Sequence, residues 1–274
     1  MAVSMADIQN LRKRTGAGMM DCKNALNEAE GDFDKAIEII RKKGQAFAAK
    51  RGDRDAAEGC VLAGTNNDFA AIVALKCETD FVAMNADFVA LTNSILSSAL
   101  ANKPADTAAL NDIQIDGRRI EDLVVERMGV TGEKMEIGAY ENLSAPSVVF
   151  YIHPGNKLAT IVGFNKANVD AQVAKDVAMQ VAAMNPVALT ATEVSEEIKQ
   201  RELSLAKEKA REAGKPENLL EKIAEGALTK FYKEFTLLQQ EFIKNPKQNV
   251  EQYLQAADKE LTVTGFKRVS LNAE

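Results

Sequence analysis

The chain has 274 residues, 46% of them hydrophobic and 27% charged, with a formal net charge of −6 from 34 basic and 40 acidic side chains. This length fits one large domain or two to three small ones, the composition excludes global disorder, and the acidic balance argues against a general nucleic-acid binder. No apolar run reaches the about 18 residues that a membrane span needs, and the opening MAVSMADIQN lacks the basic-then-apolar order of a signal peptide.

Residues 1–54 read as three short helices and a linker. Ser4 can cap a first helix carrying Ile8 and Leu11, and Thr15-Gly16-Ala17-Gly18 breaks it. A second helix from Met19 sets Cys22, Ala25, Leu26 and Ala29 at helical spacing. Gly31 ends it, and Asp32 caps a third helix with Phe33, Ala36, Ile37 and Ile40 on one face; Gly44 is expected to end that helix. Residues 50–54 form a basic, Gly-containing linker.

The period then changes to two. Strands are predicted over 59–63 and 69–77 around a polar turn, with Phe69, Ala71, Val73, Leu75 and Cys77 alternating onto one face. A helix over 87–101 carries Phe88, Leu91, Ile95 and Ala99. Residues 102–135 are mixed, with a helix over 120–128 that Gly129 should end, and 135–143 reads as a strand. Strands over 148–152 and 158–164, joined by His153-Pro154-Gly155-Asn156, and a helix over 170–184 stopping at Asn185-Pro186 then repeat the strand, strand, helix order. This is a repeat of element order and not of residues.

The segment 193–213 is a charged helix with Val194, Ile198 and Leu205 spread thinly along it. Gly214-Lys215-Pro216 turns the chain into a second helix over 216–240, with Leu219, Leu220, Ile223, Ala227, Phe231, Phe235 and Leu238. The first arm has too narrow an apolar stripe to lie deep in a core, so this antiparallel helical hairpin is expected to project. Asn249 caps a last helix to 259, and 261–271 is a closing strand. The fold class is α+β: an N-terminal three-helix bundle, a core of two similar α+β halves with antiparallel strands, and an inserted helical hairpin of coiled-coil type. The expected divisions are 1–54 for bundle and linker, 55–140 for the first half, 141–188 with 229–274 for the second, and 189–228 for the hairpin.

Chemical equipment is sparse. There is one histidine, His153, and the three cysteines, Cys22, Cys60 and Cys77, show no C-x-x-C spacing. A zinc site and a disulfide framework are not expected, and the usage fits a reducing cytoplasm. Without G-x-S-x-G, P-loop or G-x-G-x-x-G motifs, no enzyme template applies, so no catalytic residue, metal or cofactor is expected. The most unusual segment is Glu78-Thr79-Asp80-Phe81-Val82-Ala83-Met84-Asn85, which puts apolar residues where a strand-to-helix turn should be polar. Phe81 either caps the core from the loop or is an apolar wedge aimed at a partner. Thr15 to Asp21 is either a plain interhelical turn or an anion-binding nest, and adjacent Met19 and Met20 cannot both face one core. The basic residues Arg41, Lys42, Lys43, Lys50, Arg51 and Arg54 form either a solvated face or a steering patch. His153 reads as a surface or hinge residue of a hairpin turn.

Six ordered motifs resemble bacterial elongation factor Ts over nearly the whole chain. They are LRKRTGAGMMDCKNAL (11–26), CETDFVA (77–83), YIHPG (151–155), AMQVAAMNP (178–186), GKPEN (214–218) and VTGFKR (263–268). The resemblance implies a guanine-nucleotide exchange factor for elongation factor Tu, the GTPase that delivers aminoacyl-tRNA. It implies that Thr79, Asp80, Phe81 and Val82 enter the nucleotide-binding domain and dislodge Mg²⁺, with Phe81 as the wedge. It implies a grip through Leu11, Arg12, Met19 and Met20, a further contact at His153 and another along the hairpin. Met84 stands where the family often has Arg or Lys, and Asn156 where a second Gly is common. The bundle also resembles ubiquitin-associated (UBA-like) domains, so the other reading is a protein-binding module on an inert scaffold. No contact with nucleic acid or membrane is expected, and stoichiometry stays open between 1:1, 2:2 and a homodimer.

Overall fold

The computed structural model describes residues 3–272. In chain order the elements are α1 (Met5–Thr15), α2 (Met19–Glu28), α3 (Phe33–Lys50), β1 (Glu58–Asn66), β2 (Phe69–Cys77), α4 (Asp80–Ala83), α5 (Ala86–Asn102) and α6 (Thr107–Asp112). Then come β3 (Gln114–Ile115), β4 (Arg118–Arg119), α7 (Ile120–Thr131), β5 (Glu136–Ser144), β6 (Ser147–Ile152), β7 (Leu158–Phe164) and α8 (Ala171–Met184). The chain closes with α9 (Glu196–Glu212), α10 (Leu220–Phe235), β8 (Glu241–Phe242), β9 (Asn245–Asn249), α11 (Val250–Ala257) and β10 (Val263–Ser270). The mixture of helix and antiparallel sheet is α+β, as expected.

The first three helices start where their caps place them. Ser4 Oγ accepts from Asp7 N at 3.1 Å while Asp7 Oδ2 accepts from Ser4 N at 3.0 Å, a reciprocal capping box. Gly16, at φ 69, closes α1 in the left-handed conformation that glycine adopts without strain. Ile8, Leu11, Cys22, Ala25, Leu26 and Ala36 meet in a small buried cluster.

Two glycines do something other than end helices. The helix α3 runs through Gly44 to Lys50, and α7 runs through Gly129 to Thr131, where Gly132 at φ 75 caps it. A Cβ built on Gly44 would lie 3.2 Å from the Val125 carbonyl oxygen, and one built on Gly129 would lie 3.4 Å from the Gly44 Cα. Both residues therefore serve a close crossing of α3 over α7, where backbone meets backbone.

The centre of the molecule is two three-stranded antiparallel sheets, ordered β1-β2-β5 and β10-β7-β6. Each is a hairpin whose second strand takes a third strand on its other side, so the expected repeat of strand, strand, helix extends to a third strand. The sheets pack face to face through Val61, Ala63, Ala70, Ile72 and Ala74 on one side and Ala159, Ile161 and Val269 on the other. A Cβ on Gly163 would come within 2.7 Å of the Ala145 Cβ, so only glycine fits this approach. The strand β2 is therefore buried on both faces, where alternation had suggested one. Its other face packs Phe69, Val73 and Leu75 against Phe88, Ile95 and Ala99 of α5 and Ile120 and Val124 of α7. The β7 residues Val162 and Phe164 pack likewise on α8 and α11.

The helices α9 and α10 pack on each other and on little else among the described residues. The pair Lys207–Glu221 (2.6 Å) joins them, and Arg211 pairs with Glu217 (2.7 Å) in the turn before α10. The second arm is shorter than expected: α10 ends at Phe235. Thr236 then bridges to Ala188, and Leu237 and Leu238 enter the second core. The pieces α6, β3–β4 and β8–β9 carry too few periodic residues to be read from sequence.

Helical glycines give a direct check on the α3–α7 crossing. Gly226→Ala in α10, where a Cβ meets nothing within 4 Å, should stabilise the protein by about 0.5–1 kcal/mol in denaturant unfolding. Gly44→Ala should instead destabilise it by on the order of 1 kcal/mol, because the facing carbonyl has to shift. Equal gains at the two positions would remove the crossing from the account.

Candidate functional site

The segment between β2 and α5 becomes a single helical turn, α4. Thr79 caps it, its Oγ1 accepting from Val82 N at 3.4 Å. Ala83 is buried and Val82 leans on the first core. Phe81 is 81% exposed, so its ring does not cap the core. Asp80 is exposed, and Met84 just beyond the turn is 70% exposed. Asn85 caps α5 by accepting from Asp87 N at 3.0 Å.

Polar contacts brace this turn from below. Both β2 ladders stop at Lys76 and Cys77, and the next two backbone N–H groups turn to Glu133. Glu133 Oε2 accepts from Glu78 N at 3.2 Å and Thr79 N at 3.0 Å, and Oε1 accepts from the Thr79 hydroxyl at 2.6 Å. The Cys77 thiol donates to Thr79 O at 3.2 Å. Glu78 turns the other way and ties down the linker. Its carboxylate accepts from Lys134 N at 2.7 Å and from Arg51 Nη1 and Arg54 Nη1, each at 2.9 Å. Lys134 Nζ donates to the Gly52 and Arg54 carbonyls at 3.0 and 2.9 Å. The Lys134 backbone N–H, followed by the two guanidinium groups, pulls the Glu78 carboxyl down to about 2, against an ordinary value of 4.5. Part of the basic cluster is thus spent inside the molecule. Arg51 and Arg54 hold Glu78, Arg41 pairs with Asp122 at 3.2 Å, and Lys43 pairs with Asp21.

At the far end of the turn, Arg127 Nη2 donates to Asn85 Oδ1 at 3.0 Å and pairs with Asp87 at 3.2 Å. Its Nη1 lies 3.9 Å from where a Cβ on Gly16 would sit. The α1–α2 turn and the α4–α5 turn therefore meet on either side of one guanidinium. Of the expected grip residues, Leu11 is fully buried in the bundle, Met19 is half-buried against it, and Arg12 and Met20 are exposed. The four most exposed large apolar side chains among the described residues are Phe81, Met84, Met20 (64%) and Met5 (60%). His153 stands elsewhere, exposed in the β6–β7 turn, with its Nδ1 3.0 Å from the Tyr151 hydroxyl. It borders a cleft with Leu158, Met179, Ala182 and Ile243.

Sequence reasoning missed Glu133, Arg127 and the pairing of Glu78 with the linker. For Glu78 there was no local signal, since Arg51 and Arg54 lie 27 and 24 residues away in the chain. For Glu133 there was only its place after a helix-ending glycine. Among the described residues no group of three or more His, Cys, Asp or Glu is placed to hold a metal ion. No helix among them is long and apolar enough to cross a membrane.

A family model described as Elongation factor TS matches residues 78–273. The chain is 62% identical over 275 residues to Elongation factor Ts of Porphyromonas gingivalis, with 100% of each chain covered. It is 57% identical over 274 residues to that of Azobacteroides pseudotrichonymphae and 47% over 331 to that of Bacteroides thetaiotaomicron, again with 100% of each chain covered. These similarities define the class as a translation elongation factor. The chain belongs to the elongation factor Ts family.

The Glu78 clasp sets a pH-dependent contribution. A carboxylate whose folded value lies below its ordinary 4.5 stabilises fully above 4.5 and loses that stabilisation as pH falls toward about 2. Glu78→Gln should cost about 1–3 kcal/mol at neutral pH, and the difference from wild type should shrink as pH drops through that window. A difference that stays constant down to acid pH would contradict the clasp.

Proposed function

We propose that this chain is a guanine-nucleotide exchange factor that acts on elongation factor Tu in translation elongation. It binds the GDP-bound GTPase, dislodges Mg²⁺ and promotes GDP release so that GTP can bind. The observation that carries this reading is Phe81, an aromatic ring 81% exposed on a braced helical turn. Family membership supplies the partner. Thr79, Asp80, Phe81 and Val82 form the inserting element, and Arg12, Met19 and Met20 grip a second place on the same GTPase domain. Leu11 supports that grip from within the bundle. His153 and the α9–α10 hairpin make separate contacts.

No reactive side chain is needed for this work. GDP is held largely through its phosphates and Mg²⁺. A factor that binds best to the opened, Mg²⁺-free form weakens GDP binding, and GDP weakens the factor's binding by the same ratio. A 10⁴-fold shift takes about 5.5 kcal/mol of differential affinity. One aromatic hot spot of roughly 2–4 kcal/mol with a few supporting contacts reaches that order.

In architectural terms we read 1–54 as a UBA-like bundle with its linker and 189–228 as a projecting coiled coil. Residues 55–140 and 141–188 with 229–274 are the two core halves. The factor works in the cytoplasm without contacting nucleic acid directly.

Phe81→Ala should slow release of fluorescent GDP from elongation factor Tu at least about tenfold at saturating factor. It should leave the unfolding free energy within about 0.5 kcal/mol, since the ring is 81% exposed and packs on little of its own chain. Met20→Ala should raise the concentration for half-maximal exchange more than it lowers the saturating rate. Wild-type exchange by Phe81→Ala would sink the wedge assignment.

A further inference from the structure

The ring of Phe81 has almost no contact within its own chain, so its direction is set entirely by the backbone beneath it. That backbone is one turn of helix, and a single turn is unfavourable by itself because it fixes several residues for very few hydrogen bonds. Its internal bonds are Ala83 N to Thr79 O at 3.1 Å, Met84 N to Asp80 O at 2.9 Å and Asn85 N to Val82 O at 3.0 Å. The Thr79 cap on Val82 N, at 3.4 Å, is longer than the about 2.7–3.2 Å usual for such a bond. Something outside the turn has to hold it.

We propose that Glu133 is a positioning residue for nucleotide exchange, and that its carboxylate fixes the direction in which α4 presents Phe81. This rests on the exchange-factor reading above and adds to it the residue that orients the wedge. A carboxylate accepts only, and Glu133 takes three donors from two successive residues, the N–H groups of Glu78 and Thr79 and the Thr79 hydroxyl. It stands in for the neighbouring strand that β2 loses at this point, satisfying donors that would otherwise be unpaired as the chain leaves the sheet. Hydrogen bonds to an ionised acceptor are short and strong, and the 2.6 Å contact to the hydroxyl is of that kind. It also sets the state of the cap. The single hydroxyl proton of Thr79 goes to Glu133, which leaves the oxygen lone pairs free to accept from Val82 N.

Glu133 is well placed to do this because it follows α7 directly. The same helix supplies Arg127, which holds Asn85 at the other end of the turn. One end of α4 is thus held by α7 itself and the other by the residue just past its Gly132 cap, and α7 is crossed by α3 of the bundle.

The test uses the full-length chain and elongation factor Tu loaded with fluorescent GDP, titrated to give a saturating release rate and a half-saturation concentration. Glu133→Ala should lower the saturating rate by about fivefold or more while leaving half-saturation within about twofold, since only the transition-state contact is misdirected. Thr79→Val should show the same split, and the double variant should be no slower than the slower single one. Glu133→Gln, which keeps an acceptor for the two N–H groups, should recover much of the rate. Amide hydrogens of residues 83–85 should exchange faster in Glu133→Ala than in wild type. Should the alanine variant not fold, Glu133→Gln and Thr79→Val carry the comparison. A wild-type saturating rate in Glu133→Ala, a change confined to half-saturation, multiplying defects in the double variant, or unchanged amide protection would each overturn the proposal. A wild-type chain that fails to speed GDP release would instead overturn the exchange-factor reading, and the amide measurement would still decide whether Glu133 holds α4.

Discussion

The helices α3 and α7 cross with Gly44 against Gly129, so close that a single added Cβ would meet backbone on the other side. Most of the site's geometry follows from that contact. It seats the three-helix bundle, and with it the exposed Met20, on the helix that also carries Arg127 and leads into Glu133. Those two side chains hold the ends of α4. On the far side of the same segment, Glu78 reaches back to Arg51 and Arg54 in the linker that follows α3. The bundle, the linker and the Phe81 turn therefore form one braced unit.

This bracing has an energetic logic. An exposed phenylalanine contributes nothing to its own fold, so the burial energy of its ring is available for a partner. Affinity is lost when a contact element has to be ordered on binding. Here the ordering is done in advance by charge-assisted hydrogen bonds beneath the turn, while the apolar tips stay free. Behind the site, the paired sheets hold their spacing with small residues, Ala70, Ala74, Ala159 and Gly163, so the strand that launches α4 is buried on both faces. The launching point is held because β2 packs on the second sheet on one face and on α5 on the other.

Much of the fold was legible from sequence because it rests on local signals. The caps at Ser4, Asp32 and Asn249, the switch of period at β1 and the recurrence of strand, strand, helix are written in neighbouring residues. What was not legible depends on distant ones. A glycine in a helical pattern reads as a stop, and only a partner helix reveals Gly44 and Gly129 as points of close approach. The second buried face of β2 had a signal in the unbroken apolar run 69–75, but only Ile72 on that face is large, and its neighbours Ala70 and Ala74 suit either solvent or a tight sheet interface. Phe81 had two readings, and which held depended on packing around the turn. Glu133 lies 54 residues from Thr79 in the chain, and nothing near either residue announces the other. Leu11 shows the converse, since a residue inside a recognisable motif proved to be core.

The central claim is that this chain works by binding one state of its GTPase better than another. The most direct test is calorimetric titration of the full-length chain into elongation factor Tu, once free of nucleotide and once loaded with GDP and Mg²⁺. Binding should be tighter to the nucleotide-free form, by the same factor by which saturating chain weakens the GTPase's affinity for GDP. Equal affinity for the two forms would contradict it.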